Sequence, residues 1–299
     1  MRAVRFDEFG PADVLGVREV PDPVPGPGQV LVRVTAIGVN YGETLIRSGR
    51  ASAVVPWYDL APGALGGEVV GVAADGRRLV GFALGEGYAE LALLPQDATE
   101  VPDGVSDHEA LALYLQGATA VTAADAVRLA AGERALVEAA GGGVGSLLVQ
   151  VAARAGATVV AAARGGRKLD LARELGAHEV VDYGEPDWSA GVEPVDVVFS
   201  SVGGAVGRQS FELLRDGVGR LAVFGFASGE PLDVTASDVF RKGVAVLGFG
   251  NPLTPDVVRR VFDLGLRPVL GEALPLADAA RAHELLEGRA TTGKVVLVP

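Results

Sequence analysis

Residues 139–146 read AAGGGVGS and follow the apolar run RALVE, while residues 147–156 continue as LLVQVAARAG. An apolar strand, a glycine turn and an Ala/Leu/Val helix in that order are what a chain needs to seat a pyrophosphate. The turn lets the ligand approach bare backbone, and the helix N-terminus offers amide N–H groups to its charge. In the spacing G-x-G-x-x-G the three glycine positions fall on Ala140, Gly142 and Gly145, with Gly143 and Val144 between the last two. The first position is therefore alanine. A plain strand-to-helix turn would not require three consecutive glycines, and the strand–loop–helix context strengthens the dinucleotide reading.

About twenty residues further on, a site for NAD places Asp or Glu at the end of the second strand, where it binds the ribose 2′-hydroxyl. Here the strand runs VVAAARGGRK and ends in Arg164, Arg167 and Lys168. Guanidinium and ammonium groups bind a 2′-phosphate by charge-assisted hydrogen bonds, whereas a carboxylate would repel it. The cofactor expected from these residues is NADP(H). The competing reading is a solvated helix start, but cations at a helix N-terminus oppose its dipole unless an anion is bound there.

The elements around these residues are of two kinds. The first third, with VLGVREVPDPVPGPGQVLVRVTAIGVN, has period-two stretches broken by a Pro/Gly cluster and predicts antiparallel sheet. From Asp107, read as an N-cap, Ala/Leu-rich helical pattern takes over, and a boundary is expected near Gly117. Continuous apolar strands then alternate with amphipathic helices, which predicts a parallel sheet covered on both faces. The tail DAARAHELLEGRATTGKVVLVP is a last helix and strand. The architecture expected is α/β: a β-rich domain, a doubly wound domain, and a return to the first.

Composition narrows the function. The 299 residues contain no cysteine, so thiolate metal sites and disulfides are excluded. The three histidines, His108, His178 and His283, lack ligand spacing and are read as surface or helix-end residues. A formal charge of −12 opposes nucleic-acid binding. The apolar runs fall short of the roughly 20 residues of a membrane helix. The N-terminus has neither the apolar region nor the cleavage site of a signal peptide, and a cytoplasmic protein without membrane partner is expected.

Taken together, GVNYGETLIRSG, GYAELALLP, GATAVTAADAVRLAAGERALVEAAGGGVG, ELGAHEVVDY and RAHELLEGRATTGKVVLVP resemble, over nearly the whole chain, the zinc-independent quinone oxidoreductase and enoyl reductase branch of the medium-chain dehydrogenase/reductase superfamily. The resemblance implies a GroES-like β-rich catalytic domain over residues 1–117 and 256–299 and a Rossmann doubly wound parallel-sheet cofactor domain over 118–255. It implies a homodimer paired through the cofactor-domain edge strand GVAVLGFG. Zinc-dependent relatives carry a cysteine where this chain has Asn40 and Tyr41, and a histidine where GGEVVG has Gly67. Metal-alkoxide chemistry is accordingly rejected.

By the same resemblance Asn40 and Tyr41 sit at the nicotinamide end of the cleft, and Thr119 approaches the nicotinamide. Tyr41 either polarises the substrate oxygen or donates the proton; the alternative is a half-buried aromatic whose hydroxyl finds a backbone partner. The alternative for Thr119 is a helix back-bonding threonine. Ser201, Val202 and Gly203, then Phe224, Gly225 and Phe226, then Phe249, Gly250 and Asn251 follow sheet strands where relatives hold the cofactor. Lys294, in TTGKVV, matches by the same resemblance a family lysine near the cleft; the alternative is a solvated rim charge.

The chain departs from the family pattern at Leu45, where many relatives have a tyrosine, and in a shortened segment, GVAADGRRLVGFALGEGYAE. Trp57 and Tyr58 either wall an apolar substrate pocket or pack at the surface. Three functions stay open. The first is an NADPH-dependent reductase of quinones or of activated C=C bonds in enones or enoyl thioesters. The second is a specialised enoyl reductase or tailoring enzyme of a biosynthetic pathway, and the third a cofactor-binding reductase-fold protein with little turnover.

Overall fold

The computed structural model describes residues 1–51, 61–250 and 253–299. Trp57, Tyr58 and Asn251 lie outside the described residues. The chain forms two compact units, one of Met1–Leu115, Val258–Leu264 and Pro268–Pro299, the other of Gln116–Val257 and Gly265–Arg267.

In the first unit, β1 (Arg2–Arg5) pairs antiparallel with β2 (Gly16–Glu19). The main sheet contains β3 (Gln29–Val39), β4 (Glu68–Ala73), β5 (Arg78–Phe82), β6 (Leu91–Pro95) and β7 (Thr99–Glu100). It is completed by β14 (Leu270–Pro275) and β15 (Lys294–Val298), in the order β14-β15-β3-β4-β5-β7 with β6 also on β3. Strand β3, QVLVRVTAIGV, pairs antiparallel with β4, β6 and β15, so one long amphipathic strand organises the sheet. Its inward residues Val32, Val34 and Ile37 meet Phe6, Leu94 and Leu297 in the core. Helix α1 (Tyr41–Arg47) leaves the end of β3 directly, and α8 (Ala279–Glu287) packs against it.

Helix α2 (Asp107–Ala126) contains the division between the units, which falls at Leu115/Gln116. The expected boundary near Gly117 therefore has no linker to mark it. The N-cap is Ser106, not Asp107: the Ser106 hydroxyl accepts the Glu109 amide N–H at 3.3 Å and the Glu109 carboxylate accepts the Ser106 amide N–H at 2.9 Å. The return to the first unit, at Val257/Val258, lies inside α7 (Pro255–Asp263), two residues beyond the boundary expected at 256, and residues 265–267 group with the second unit.

The second unit alternates β8 (Arg134–Val137), α3 (Gly143–Arg154), β9 (Thr158–Ala163), α4 (Gly166–Glu174), β10 (Glu179–Asp182), β11 (Val197–Ser200), α5 (Gly204–Glu212), β12 (Arg220–Val223), α6 (Ala236–Lys242) and β13 (Ala245–Leu247). All six strands pair in parallel, in the order β10-β9-β8-β11-β12-β13. Strand β9, TVVAAA, is buried at every residue but the first, as a strand covered on both faces must be. Strands β8, β9 and β10 add in one direction and β11, β12 and β13 in the other. The carboxyl ends of β8 and β11 therefore flank the switch point at which doubly wound sheets bind ligands.

Candidate active site

The glycine loop leaves β8 at that switch point. Ala139 turns the chain with φ 49°, a left-handed conformation that alanine tolerates at a cost of roughly 1 kcal/mol. Ala140 is fully buried and its N–H donates to Ala162 O at 3.1 Å, so it extends the strand pairing instead of bordering the ligand. That is why alanine fits the first motif position. Gly142 is the N-cap of α3, and no side chain caps that helix. At Gly145 a Cβ would stand 2.3 Å from the carbonyl oxygen of Ala139, so only glycine allows helix and loop to approach this closely.

Two cations of the RGGRK segment are exposed, Arg164 and Arg167, and neither forms an ion pair among the described residues. Lys168 lies against the glycine loop itself: a Cβ on Gly141 would come within 2.6 Å of its Cβ. Helix α4 has no acidic residue in its first turn and no side-chain cap. The Asp182 carboxylate accepts the amide N–H groups of Gly165 at 3.0 Å and Gly184 at 2.8 Å, and so braces the turn that carries Arg164. A helix N-terminus left open by side chains, a loop that tolerates no added Cβ at Gly145, and cations turned to solvent beside it fit a phosphorylated dinucleotide.

The remaining sequence-predicted residues of this unit gather on neighbouring strand ends. Ala227 N donates to Ser201 O at 2.9 Å and Ser228 N to Val202 O at 2.8 Å, tying the turn after β12 to the turn after β11. The rings of Phe224 and Phe249 lie 6.5 Å apart at 35°. On α2, Gln116 reaches the start of α3, where a Cβ on Gly143 would stand 2.9 Å from its Cγ. Thr119 follows three residues later on the same helix face. Its hydroxyl makes no hydrogen bond among the described residues, so it does not back-bond to its helix.

In the first unit, Asn40 and Tyr41 begin α1. The Asn40 side-chain oxygen accepts from Lys294 Nζ at 2.8 Å and its Nδ2 donates to Glu68 Oε1 at 3.0 Å. Lys294 also donates to Glu68, and both are buried, at 3% and 0% exposure. Lys294 is thus no solvated rim charge. The apolar context of TTGKVVLVP gives a lysine no sign of a partner more than two hundred residues away. Room for the Glu68 carboxylate exists because Gly38 has no side chain: a Cβ there would lie 2.4 Å from Glu68 Oε1.

Glu43 sits in the first turn of α1. Its carboxylate accepts the amide N–H of Asn40 at 2.8 Å, that of Gly67 at 2.9 Å, and the hydroxyl of Tyr88 at 2.7 Å. Burial pushes its pKa up to about 6, against the lowering effect of those donors. Tyr88, also buried, is raised well above the ordinary phenol value, by burial first and by the Glu43 charge second. Its oxygen lies 3.1 Å from Nε2 of His283. Because the hydroxyl hydrogen goes to Glu43, the network assigns the Nε2–H tautomer to the histidine.

His283 is fully buried in α8, contrary to its reading as a surface or helix-end residue, and burial, with Arg47 second, lowers its pKa to about 3. It is a neutral core histidine. Its partner Tyr88 lies nearly two hundred residues away, so spacing could not reveal it. Tyr41 stands apart from this web. It is half-buried, and its hydroxyl makes no hydrogen bond among the described residues, so it does not have the backbone partner its structural reading required.

A family model described as zinc-binding dehydrogenase matches residues 143–265. The chain is 32% identical to a quinone oxidoreductase of Mus musculus over 100% of this chain and 98% of that protein. It is 31% identical to a 2-haloacrylate reductase of Burkholderia sp, over 100% and 99%. Among solved structures, a mycobacterial protein complexed with NADPH superposes with TM-score 0.90 at 32% identity, over 100% of both chains. Identity at this level, sustained from end to end over a β-rich unit and a doubly wound unit, settles the kinship: the chain belongs to the medium-chain dehydrogenase/reductase superfamily, in its quinone oxidoreductase branch.

Proposed function

We propose that this protein is an NADPH-dependent oxidoreductase that reduces a quinone or an activated C=C bond without a metal. The observation that carries the reading is the placement of Lys168 against Gly141, which joins the basic segment to the glycine loop in one phosphate-binding surface. Gly142, Gly143, Val144 and Gly145 receive the pyrophosphate, and Arg164, Arg167 and Lys168 the 2′-phosphate. Ser201–Gly203, Phe224–Phe226 and Phe249 line the rest of the dinucleotide. Bound NADPH supplies the hydride, and the protein supplies orientation and polarisation.

As negative charge builds on the substrate oxygen, the Tyr41 hydroxyl, uncommitted to any protein partner among the described residues, donates a hydrogen bond to it and then the proton. Asn40 and Thr119 orient the reacting groups. The lock of Lys294 and Glu68 on the Asn40 amide supports this role, because a fixed amide presents its atoms without reorganisation.

A specialised substrate is the second reading. Leu45, where many relatives have a tyrosine, is buried at 6% exposure and offers no hydroxyl, and β4 and β5 are joined by a tight turn in which Ala73 N donates to Arg77 O at 3.0 Å. Both favour a substrate mouth unlike that of other quinone oxidoreductases. Homodimerisation through the edge strand β13 belongs to the same proposal, and analytical ultracentrifugation tests it.

Titration of intrinsic fluorescence with NADPH and NADH, followed by NADPH oxidation with quinones, enones and acyl-CoA enals, tests the reading. NADPH preference and turnover with at least one class are expected. Equal affinity for the two nucleotides would remove the role given to the basic segment, and absence of turnover would leave a binding protein.

A further inference from the structure

Glu138 ends the run RALVE, and its carboxylate is fully buried at the switch point of the parallel sheet. No cation pairs with it among the described residues. Its Oε2 instead accepts the amide N–H groups of Ser201 and Val202, both at 2.8 Å, and the hydroxyl of Ser200 at 3.2 Å. Its own amide donates to Phe199 O at 3.1 Å. The residue that introduces the glycine loop on β8 thus holds the backbone that leaves β11.

A buried carboxylate is costly unless hydrogen bonds repay the lost hydration. Here part of the repayment comes from two consecutive backbone amides, and that part is given only when residues 201 and 202 turn towards β8. Burial accordingly pushes the Glu138 pKa up, while the Ser210 hydroxyl and then the Val202 and Ser201 amides pull it down. The next residues, Gly203 and Gly204, take φ 74° and 52°, and a Cβ on Gly203 would stand 2.2 Å from Glu230 O. The turn after β11 is therefore held by Glu138 on one side and by the chain beyond β12 on the other.

We infer that Glu138 is a positioning residue of the dinucleotide site: it sets the turn Ser201–Gly203 relative to the glycine loop, and so the distance between the surfaces for the pyrophosphate and for the nicotinamide-side ribose. The inference rests on the proposed function. It separates the two halves of the cofactor, because the adenosine half meets the glycine loop and the basic segment, which Glu138 does not touch through its carboxylate.

The test compares the dissociation constants of NADPH and adenosine 2′,5′-bisphosphate, by calorimetry, in the wild type, Glu138→Ala and Glu138→Gln, with circular dichroism to confirm folding. Glu138→Ala should weaken NADPH about tenfold and the bisphosphate less than twofold. Glu138→Gln keeps an acceptor oxygen and should restore NADPH binding to within about threefold. Unchanged NADPH binding in a folded Glu138→Ala, equal weakening of both ligands, or a glutamine variant as weak as the alanine one would each overturn the inference. Should the alanine variant not fold, Glu138→Asp carries the same test, since its carboxylate, one methylene shorter, cannot hold both amides in place. It should weaken NADPH several-fold and spare the bisphosphate, and wild-type binding of both would overturn the inference. A wild type that binds no NADPH would overturn the proposed function and this inference together.

Discussion

Lys294 donates to the side-chain oxygen of Asn40 at 2.8 Å, and this bond decides which way the Asn40 amide faces. With Oδ1 committed to the ammonium, Nδ2 points to Glu68, and a residue at the head of α1 is fixed by groups on β4 and β15.

Removing the ammonium should therefore be expensive. Lys294→Met leaves Glu68 as a buried charge without its counter-ion, a change that costs about 3–5 kcal/mol. Urea unfolding should show this loss, and the double variant Lys294→Met/Glu68→Gln should recover a large part of it. Additive losses in the double variant would contradict the coupling.

The raised pKa of Glu43 gives stability a pH dependence of definite sign. Its folded value of about 6 exceeds the ordinary glutamate value of 4.5, so the folded state binds the proton more tightly than the unfolded chain. Stability from this group is complete below the unfolded value and falls as pH rises through the folded one, by about 2 kcal/mol. The difference in unfolding free energy between wild type and Glu43→Gln, followed from pH 4 to 7, should show this fall and no rise.

Tyr41→Phe removes a hydroxyl that has no partner among the described residues, so stability should change little. Turnover should drop by about a hundredfold if the hydroxyl polarises the substrate and gives the proton. Steady-state NADPH oxidation at saturating substrate measures this, and a wild-type rate would end the assignment.

Arg164→Ala combined with Lys168→Ala should cost NADPH about ten- to a hundredfold in affinity, as expected for lost charge-assisted hydrogen bonds of about 1.5–3 kcal/mol. NADH, lacking the 2′-phosphate, should be nearly unaffected. A parallel fall in both nucleotides would point to a general disturbance of α4.

Gly145→Ala sets a methyl group 2.3 Å from the Ala139 carbonyl, which cannot yield without moving the loop. A loss of roughly 1–3 kcal/mol in stability is expected, together with at least tenfold weaker NADPH binding. Calorimetric titration and urea unfolding of the same preparation measure both.

The second unit was legible because its signals are local. The alternation of continuous apolar strands with helices, the glycine loop and the RGGRK segment each lie within a few consecutive residues, and their geometry follows from strand, turn and helix rules. Local pattern leaves the N-cap of α2 ambiguous by one residue, because Ser106 and Asp107 are both good caps and only the reciprocal bonds with Glu109 choose between them.

Composition and order thus determined by themselves the two kinds of unit, the absence of thiolate ligands, and the cations placed where an acid would select NAD. Tertiary structure alone decided the state of the charged and polar side chains. Lys294, His283, Glu43, Glu68 and Glu138 sit in sequence contexts that leave exposure open, and their long-range hydrogen bonds span from 24 residues, between Gly67 and Glu43, to 254, between Asn40 and Lys294. Burying a charge is tolerable only when specific partners meet it in three dimensions, and that meeting is a property of the folded core which no local pattern encodes.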